Sequence, residues 1–286
     1  VKLATLKLDG LEKGVIVTDK GFVLLETVST TGYQLGSTEL FGLLQNDELD
    51  ALNVWYQHGG RGLVEQMDTI PFEAAVYAAP YRFPRKIWGI GMNYWQKAED
   101  LASSPPNMEP ICFMKPDTTL IGPNEYIMLP AISNRVTAEA ELGLVIGKVC
   151  KDVPESEAMS VVAGYVPTLD MTAQDIHAKN PRFLGRSKCF DTFFSFGPHL
   201  VTLDECLEMD ALAIETVLNG DVIYSNAISN MIYKLPFIVS YFSDMMTLLP
   251  GDIIMTGTPG SSLIREGDMV ACRIDGFETL QNPVMS

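Results

Sequence analysis

Three carboxylates and a lysine are the residues of this chain whose types and spacing can do chemistry. Between positions 135 and 147 the even residues Val136, Ala138, Ala140, Leu142, Leu144 and Ile146 are all apolar, while Glu139 and Glu141 stand on the odd face. Alternation with period two predicts a strand with one buried face. The two carboxylates then point the same way, roughly 7 Å apart at their Cα atoms. Beside an apolar stripe they repel each other. A hard divalent cation reverses that sign, because carboxylate oxygens are its preferred ligands. The plain alternative is a solvated polar face on an edge strand. Asp170 ends an apolar run over 163–170, and a carboxylate at a strand end can reach a neighbouring strand's ligands. Lys188 is a candidate cation for a substrate carboxylate or carbonyl, against the reading of an ordinary surface lysine. Thr258, in a Thr-Gly-Thr-Pro turn, is a candidate hydroxyl donor, against a turn-stabilising role.

The elements that must position these groups read as follows. Residues 1–80 form a small α+β accessory module, with short strands over 1–8, 14–18 and 21–27 and one or two helices over 39–56. A linker at 80–85 leads into a strand over 86–94. A short helix is predicted over 95–102, followed by a polar, Pro-containing loop or lid at 103–107. Strands come next at 113–116 and 163–170, with a helix candidate at 156–162 and a helix-like segment over 171–179 that carries Gln174, Asp175 and His177. Asn219-Gly220 is a strong type I′ hairpin signal. Residues 234–246 predict a helix with Ile238, Tyr241, Phe242 and Met245 on one side. Two more strands fall within 251–259 and 267–276. His58 and His199 read as a loop and a structural histidine.

Composition narrows the partners. The chain has 286 residues, 47% hydrophobic, with 17 Pro and 23 Gly, enough for a large strand-rich core. Its net charge is −16, from 20 Lys plus Arg against 36 Asp plus Glu. That balance argues against nucleic acid or anionic membrane as a partner, while leaving room for a small anionic substrate met by local cations or a metal. Five scattered cysteines without C-x-x-C spacing suggest a reduced compartment and no zinc knuckle. No apolar run reaches the ~18 residues of a spanning helix, and no signal peptide is legible at the start. The expectation is a cytoplasmic protein.

Over residues 81–286 the wording resembles the fumarylacetoacetate hydrolase family. The pieces that carry it are Glu-Ala-Glu-Leu, Leu-Asp-Met-Thr-Ala, Lys-Cys-Phe-Asp-Thr-Phe, Pro-Gly-Asp-Ile-Ile and Thr-Gly-Thr-Pro, in family order. The resemblance implies an α+β, strand-dominated fold: a mixed β-roll with flanking helices behind a small N-terminal module, and a homodimer. It implies Glu139, Glu141 and Asp170 as ligands of Mg²⁺ or Mn²⁺, sometimes Ca²⁺. Lys188 would be the active-site lysine, and Thr258 would meet the substrate carboxylate. The implied activity is metal-dependent cleavage of a C–C bond in a 2,4-dioxo acid through a stabilised enolate.

The departures fall on the base. Hydrolytic members carry a histidine after the Asn-Tyr pair and a glutamate three residues on, a dyad that activates water. Here those positions are Lys97 and Asp100, with Glu99 adjacent. A lysine near its usual pKa of about 10.4 is protonated at neutral pH and cannot act as a base unless burial lowers that value. Gln174 replaces a usual arginine as a substrate-binding candidate, and His177 stands where glutamine is common. Hydrolysis with Asp100, Glu99 or His177 replacing the dyad is therefore one expectation. Decarboxylation, tautomerisation or hydration of a 2-oxo acid such as oxaloacetate is a second, and a catalytically silent ligand-binding member a third.

Overall fold

The computed structural model describes residues 1–95, 109–206 and 208–286. In chain order the strands are β1 (Lys2–Leu8), β2 (Leu11–Thr18), β3 (Gly21–Leu24), β4 (Ile87–Gly91), β5 (Ile111–Lys115), β6 (Leu120–Ile121) and β7 (Ile127–Met128). There follow β8 (Val136–Ile146), β9 (Val162–Ala173), β10 (Phe194–Phe196), β11 (His199–Thr202), β12 (Ala213–Leu218) and β13 (Asp221–Ala227). The last four are β14 (Ile253–Met255), β15 (Ser262–Ile264), β16 (Met269–Ile274) and β17 (Leu280–Met285). The longest described helix, Leu235–Met245, has 11 residues, and none is long and apolar enough to cross a membrane.

Two sheets form. The larger runs β3-β2-β1-β11-β9-β8-β14-β4-β5, with β10 and β6 beside β9 and β15 on β8; the smaller runs β13-β12-β16-β17-β7. Most pairs are antiparallel, but β14 with β4, β10 with β6 and β17 with β7 are parallel. The fold is the expected strand-dominated, mixed α+β arrangement. The sheet also runs without a break from the first eighty residues into the rest, because β1 pairs with β11, Leu3 opposite Leu200. The segment after residue 80 is packed rather than loose: Tyr81 is buried and donates its hydroxyl to the Gly251 carbonyl at 3.1 Å, and Arg82 pairs with Glu12 and Glu125.

β8 sits in the middle of the larger sheet, which corrects the picture of one buried face. All eleven of its residues are buried. Its even side chains enter one core with Ile238, Val239 and Phe242 of the helix Leu235–Met245. On the odd face Val145 enters a second core with Leu3, Ile16, Leu43 and Leu52. Covered faces on both sides explain why the solvated reading of Glu139 and Glu141 fails: β9 and β14 flank this strand and the second sheet packs near it, with Ala140 N–H donating to Thr216 Oγ1 at 3.2 Å.

Other expectations shift in detail. The strand predicted over 21–27 stops at Leu24 and turns into a one-turn helix, Leu25–Val28. The segment over 171–179 is not helical throughout. β9 continues to Ala173, and only Gln174–Lys179 is helix. On the helix Leu235–Met245 the buried side is Ile238, Val239 and Phe242, while Met245 is 47% exposed. The hairpin holds, with both Asn219 and Gly220 at positive φ, as a type I′ turn requires. The helix and lid predicted over 95–107 fall at 96–107 outside the described residues.

Candidate metal and substrate site

Antiparallel register brings the carboxylates together. Glu139 lies directly opposite Asp170 across β8 and β9, and Glu141 opposite Thr168. Cross-strand partners share a face of the sheet, so Asp170 joins both glutamates on the odd face of β8. Oxygens of Glu139, Glu141 and Asp170 lie within 4.8 Å of one another, and all three residues are buried. Asp170 does so from within β9 rather than from its end, which is a sharper placement than the sequence suggested.

The neighbouring strands complete the ring. β14 runs antiparallel to Gly143–Val145 and releases the turn that follows it over Glu141, where Gly257 N–H donates to Oε2 at 2.6 Å. Gly257 takes φ 99°, and an added Cβ would stand 2.6 Å from the Cβ of Asn93, so glycine is needed for that approach. Asn93 fixes the exit of β4 by donating to the carbonyls of Thr256 and Tyr233 and accepting from Tyr233 N–H. β15 pairs with Val136–Ala138 and brings Ser261 to donate to Glu139 Oε1.

Two buried ammonium groups face the triad. Lys188, at the end of the helix Leu184–Lys188, contacts Asp170 Oδ2 closely, reaches Glu139 Oε2 at 3.5 Å and Thr172 Oγ1 at 2.8 Å, and stands 4.2 Å over the Phe113 ring. Burial works against its charge, but Asp170 and then Glu139 outweigh it and hold its pKa above the usual lysine value. It is a cation at neutral pH and not a base. Lys115 reaches Asp170 Oδ1 at 2.8 Å and the carbonyls of Met171, Lys188 and Phe193 at 3.0, 2.6 and 2.7 Å. Burial pulls its pKa down and Asp170 opposes this. The three carbonyls take three N–H donors, which only the ammonium form supplies, and Asp170 stands beside it as counter-ion.

The arrangement suits a divalent cation. Three buried carboxylates face two buried ammonium groups among the described residues, which leaves the cluster short of positive charge. The shortfall is visible at Glu141, whose carboxyl is driven well above the usual range by burial and then by the charges of Asp170 and Glu139. An all-oxygen, carboxylate-rich donor set suits a hard divalent cation and not a soft metal.

A cavity of about 350 Å³ opens onto the triad, and Glu139, Glu141, Lys188, Thr172, Thr258, Ser261, Gln174 and His177 all line it. The imidazole of His177 has its pKa lowered by burial and then by the Lys188 charge, so it is neutral at pH 7 and able to accept a proton. Thr258 donates to the Gly260 carbonyl at 2.9 Å and accepts Gly260 N–H at 3.3 Å. Its hydroxyl closes its own turn while facing the cavity, so contact with a ligand would exchange the donated bond. Lys97, Glu99 and Asp100 lie outside the described residues. His199 is structural, buried beside Tyr77 with 3.0 Å between the hydroxyl and Nε2. Sequence reasoning missed Lys115, Thr172 and Ser261. A signal existed for the first: in β5, Phe113 and Lys115 share the buried parity while Met114 is exposed, and a lysine on a buried parity needs a partner.

Known proteins share both sequence and fold. The profile of the fumarylacetoacetate (FAA) hydrolase C-terminal family matches residues 86–285. An uncharacterised protein of Archaeoglobus fulgidus is 39% identical over 79% of this chain and 89% of its own length. Oxaloacetate tautomerase FAHD2B, mitochondrial, of Homo sapiens is 33% identical over 79% of this chain and 74% of its own length. Among solved structures, 5-carboxymethyl-2-hydroxymuconate delta-isomerase from Mycobacterium smegmatis superposes with a TM-score of 0.77 at 30% identity, covering 100% of this chain and 98% of the other. Maleylpyruvate hydrolase from Sphingobium sp. SYK-6, solved with manganese(II) and pyruvate, gives 0.80 at 26% identity over 100% and 99%. With a profile match over residues 86–285 and relatives that include hydrolases, isomerases and tautomerases, the chain is an enzyme of the fumarylacetoacetate hydrolase family.

Proposed function

We propose that the protein is a divalent-metal-dependent tautomerase of a 2-oxo acid, moving a proton between C3 and the 2-oxo oxygen. The observation that carries this reading is the neutral imidazole of His177 in the same cavity as the carboxylate triad and the Lys188 ammonium. Glu139, Glu141 and Asp170 would hold Mg²⁺ or Mn²⁺, which supplies Lewis acidity toward the substrate's carboxylate and keto oxygens when bound. His177 takes the proton from C3. Lys188, kept protonated by Asp170 and Glu139, places fixed positive charge beside the oxygen on which negative charge develops. The proton then returns from the imidazolium to that oxygen, and the reverse sequence regenerates the keto acid. Solved relatives crystallised with Mn²⁺ and pyruvate support the ligand class, and the 33% identical human tautomerase supports the reaction.

Hydrolysis of the C–C bond in a 2,4-dioxo acid is the second reading, favoured by the hydrolase relatives. It asks His177, Asp100 or Glu99 to activate water, since the position of the usual histidine is Lys97. Incubation of the Mn²⁺-loaded protein with oxaloacetate and with an acylpyruvate in D₂O separates the two. Accelerated keto–enol interconversion with deuterium at C3 and an otherwise unchanged formula supports tautomerisation. Release of pyruvate plus a carboxylic acid supports hydrolysis and sinks the first reading. We also take the protein to be a homodimer. Met128 and Met285 are paired across β7 and β17 and about 40% exposed, on the outer face of the second sheet. Light scattering on the purified chain decides this.

A further inference from the structure

Two threonines flank Asp170 on the site face of β9, because side chains two positions apart on a strand point the same way. Their hydroxyls are used differently. Thr168, opposite Glu141, donates its hydrogen to the Glu141 carbonyl at 3.0 Å. Thr172 accepts an N–H from Lys188 at 2.8 Å and lines the cavity, and no described acceptor takes its own hydrogen. A hydroxyl has one hydrogen to donate besides the lone pairs with which it accepts.

Lys188 itself has little left to give. An ammonium has three N–H donors, and its partners here are Asp170 Oδ2, Thr172 Oγ1 and Glu139 Oε2, while the Phe113 ring covers the group at 4.2 Å. The lysine side chain is only 7% exposed. Its positive charge therefore reaches the cavity through the hydroxyl that accepts from it. A hydrogen bond from a cation polarises an O–H and makes it a better donor in turn.

We infer that Thr172 is a catalytic residue: its hydroxyl, polarised by Lys188, donates to the substrate oxygen on which negative charge develops. The inference rests on the 2-oxo acid reading above and places the donor one hydrogen bond farther along than the ammonium. No proton changes owner through Thr172. Its O–H bond stays intact, and the hydrogen bond it gives strengthens as the enolate forms. Removing that bond costs turnover more than ground-state binding.

The test uses the full-length, Mn²⁺-loaded protein, with oxaloacetate as substrate and with oxalate and pyruvate as ligands. Oxalate carries negative charge at both of its chelating ends, as an enolate does, whereas the keto oxygen of pyruvate is neutral. Thr172→Val should lower kcat for keto–enol interconversion by roughly 10²–10³-fold, the usual worth of one oxyanion donor, with KM little changed. By calorimetry it should weaken oxalate by at least ~10-fold and pyruvate by less than ~3-fold, because a hydrogen bond to a charged group is worth more than one to a neutral group. Mn²⁺ affinity, read by electron paramagnetic resonance, should stay level. Thr172→Ala should repeat these losses even if valine perturbs folding, and Thr172→Ser, which keeps the hydroxyl, should retain native values. Native-like kcat and oxalate affinity in the valine and alanine variants overturn the inference. So does a loss that tracks weakened Mn²⁺ binding, or one that Thr172→Ser shares. The 2-oxo acid reading survives each of these results. Failure of the unaltered protein to bind either oxalate or pyruvate overturns the two together.

Discussion

His177 joins the chemistry to an observable pH. Burial and the neighbouring Lys188 charge lower its pKa below the usual value of about 6.5. The neutral, proton-accepting form therefore persists at pH 7 and is lost only as the pH falls through that lowered value. The acid limb of kcat should lie below pH ~6.5. His177→Asn should remove the limb and lower kcat by roughly 10²–10⁴-fold, the usual worth of a general base. A pH–rate profile of both proteins checks this, and an unchanged acid limb in the variant would assign the base elsewhere. At this scale the sequence was informative where residue type alone restricts the chemistry, as at Glu139, Glu141, Asp170 and Lys188. It was silent on Thr172 and Ser261, because a hydroxyl reads the same whether it meets a carboxylate or its own turn.

Lys115 holds several elements in register at once. From the end of β5 its ammonium reaches Asp170 and Met171 of β9, Lys188 and Phe193, so the strand that carries one ligand and the helix that carries Lys188 share a single buried cation. Lys115→Met keeps the bulk but leaves Asp170 without one partner. It should destabilise the fold by about 3–5 kcal/mol, as one-sided removal of a buried pair does, and weaken metal binding as well. Urea denaturation measures the first effect, and a loss under 1 kcal/mol would show that the ion pair is not structural. Alternation made β8 legible, and Asn219-Gly220 made the hairpin legible. The end of β9 was not. Thr172 and Ala173 fit either a strand or a helix, and only pairing with Val136 and Thr137 of β8 settles them as strand.

Across the whole molecule, the feature hidden from sequence is the sheet that joins the first eighty residues to the rest. β1 and β11 pair across about two hundred positions, and no local periodicity reports a partner so far away. Composition did forecast the electrostatic setting. With a net charge of −16, the protein's field opposes an anionic substrate over distances comparable with the Debye length, about 10 Å at 0.1 M salt. KM for a 2-oxo acid should therefore fall as KCl is raised from low to physiological ionic strength, while kcat stays level. A KM that rises with salt would mean that cations at the cavity mouth dominate the approach. The central claim is that Glu139, Glu141 and Asp170 form one divalent-cation site, and a titration of Mn²⁺ into metal-stripped protein followed by electron paramagnetic resonance tests it most directly. The account predicts one saturable site per chain in the native protein and affinity at least ~100-fold weaker in Glu141→Gln, the scale on which losing a coordinating group or its support is felt, with circular dichroism unchanged. Equal binding by the two proteins, or no saturable binding by either, would contradict it.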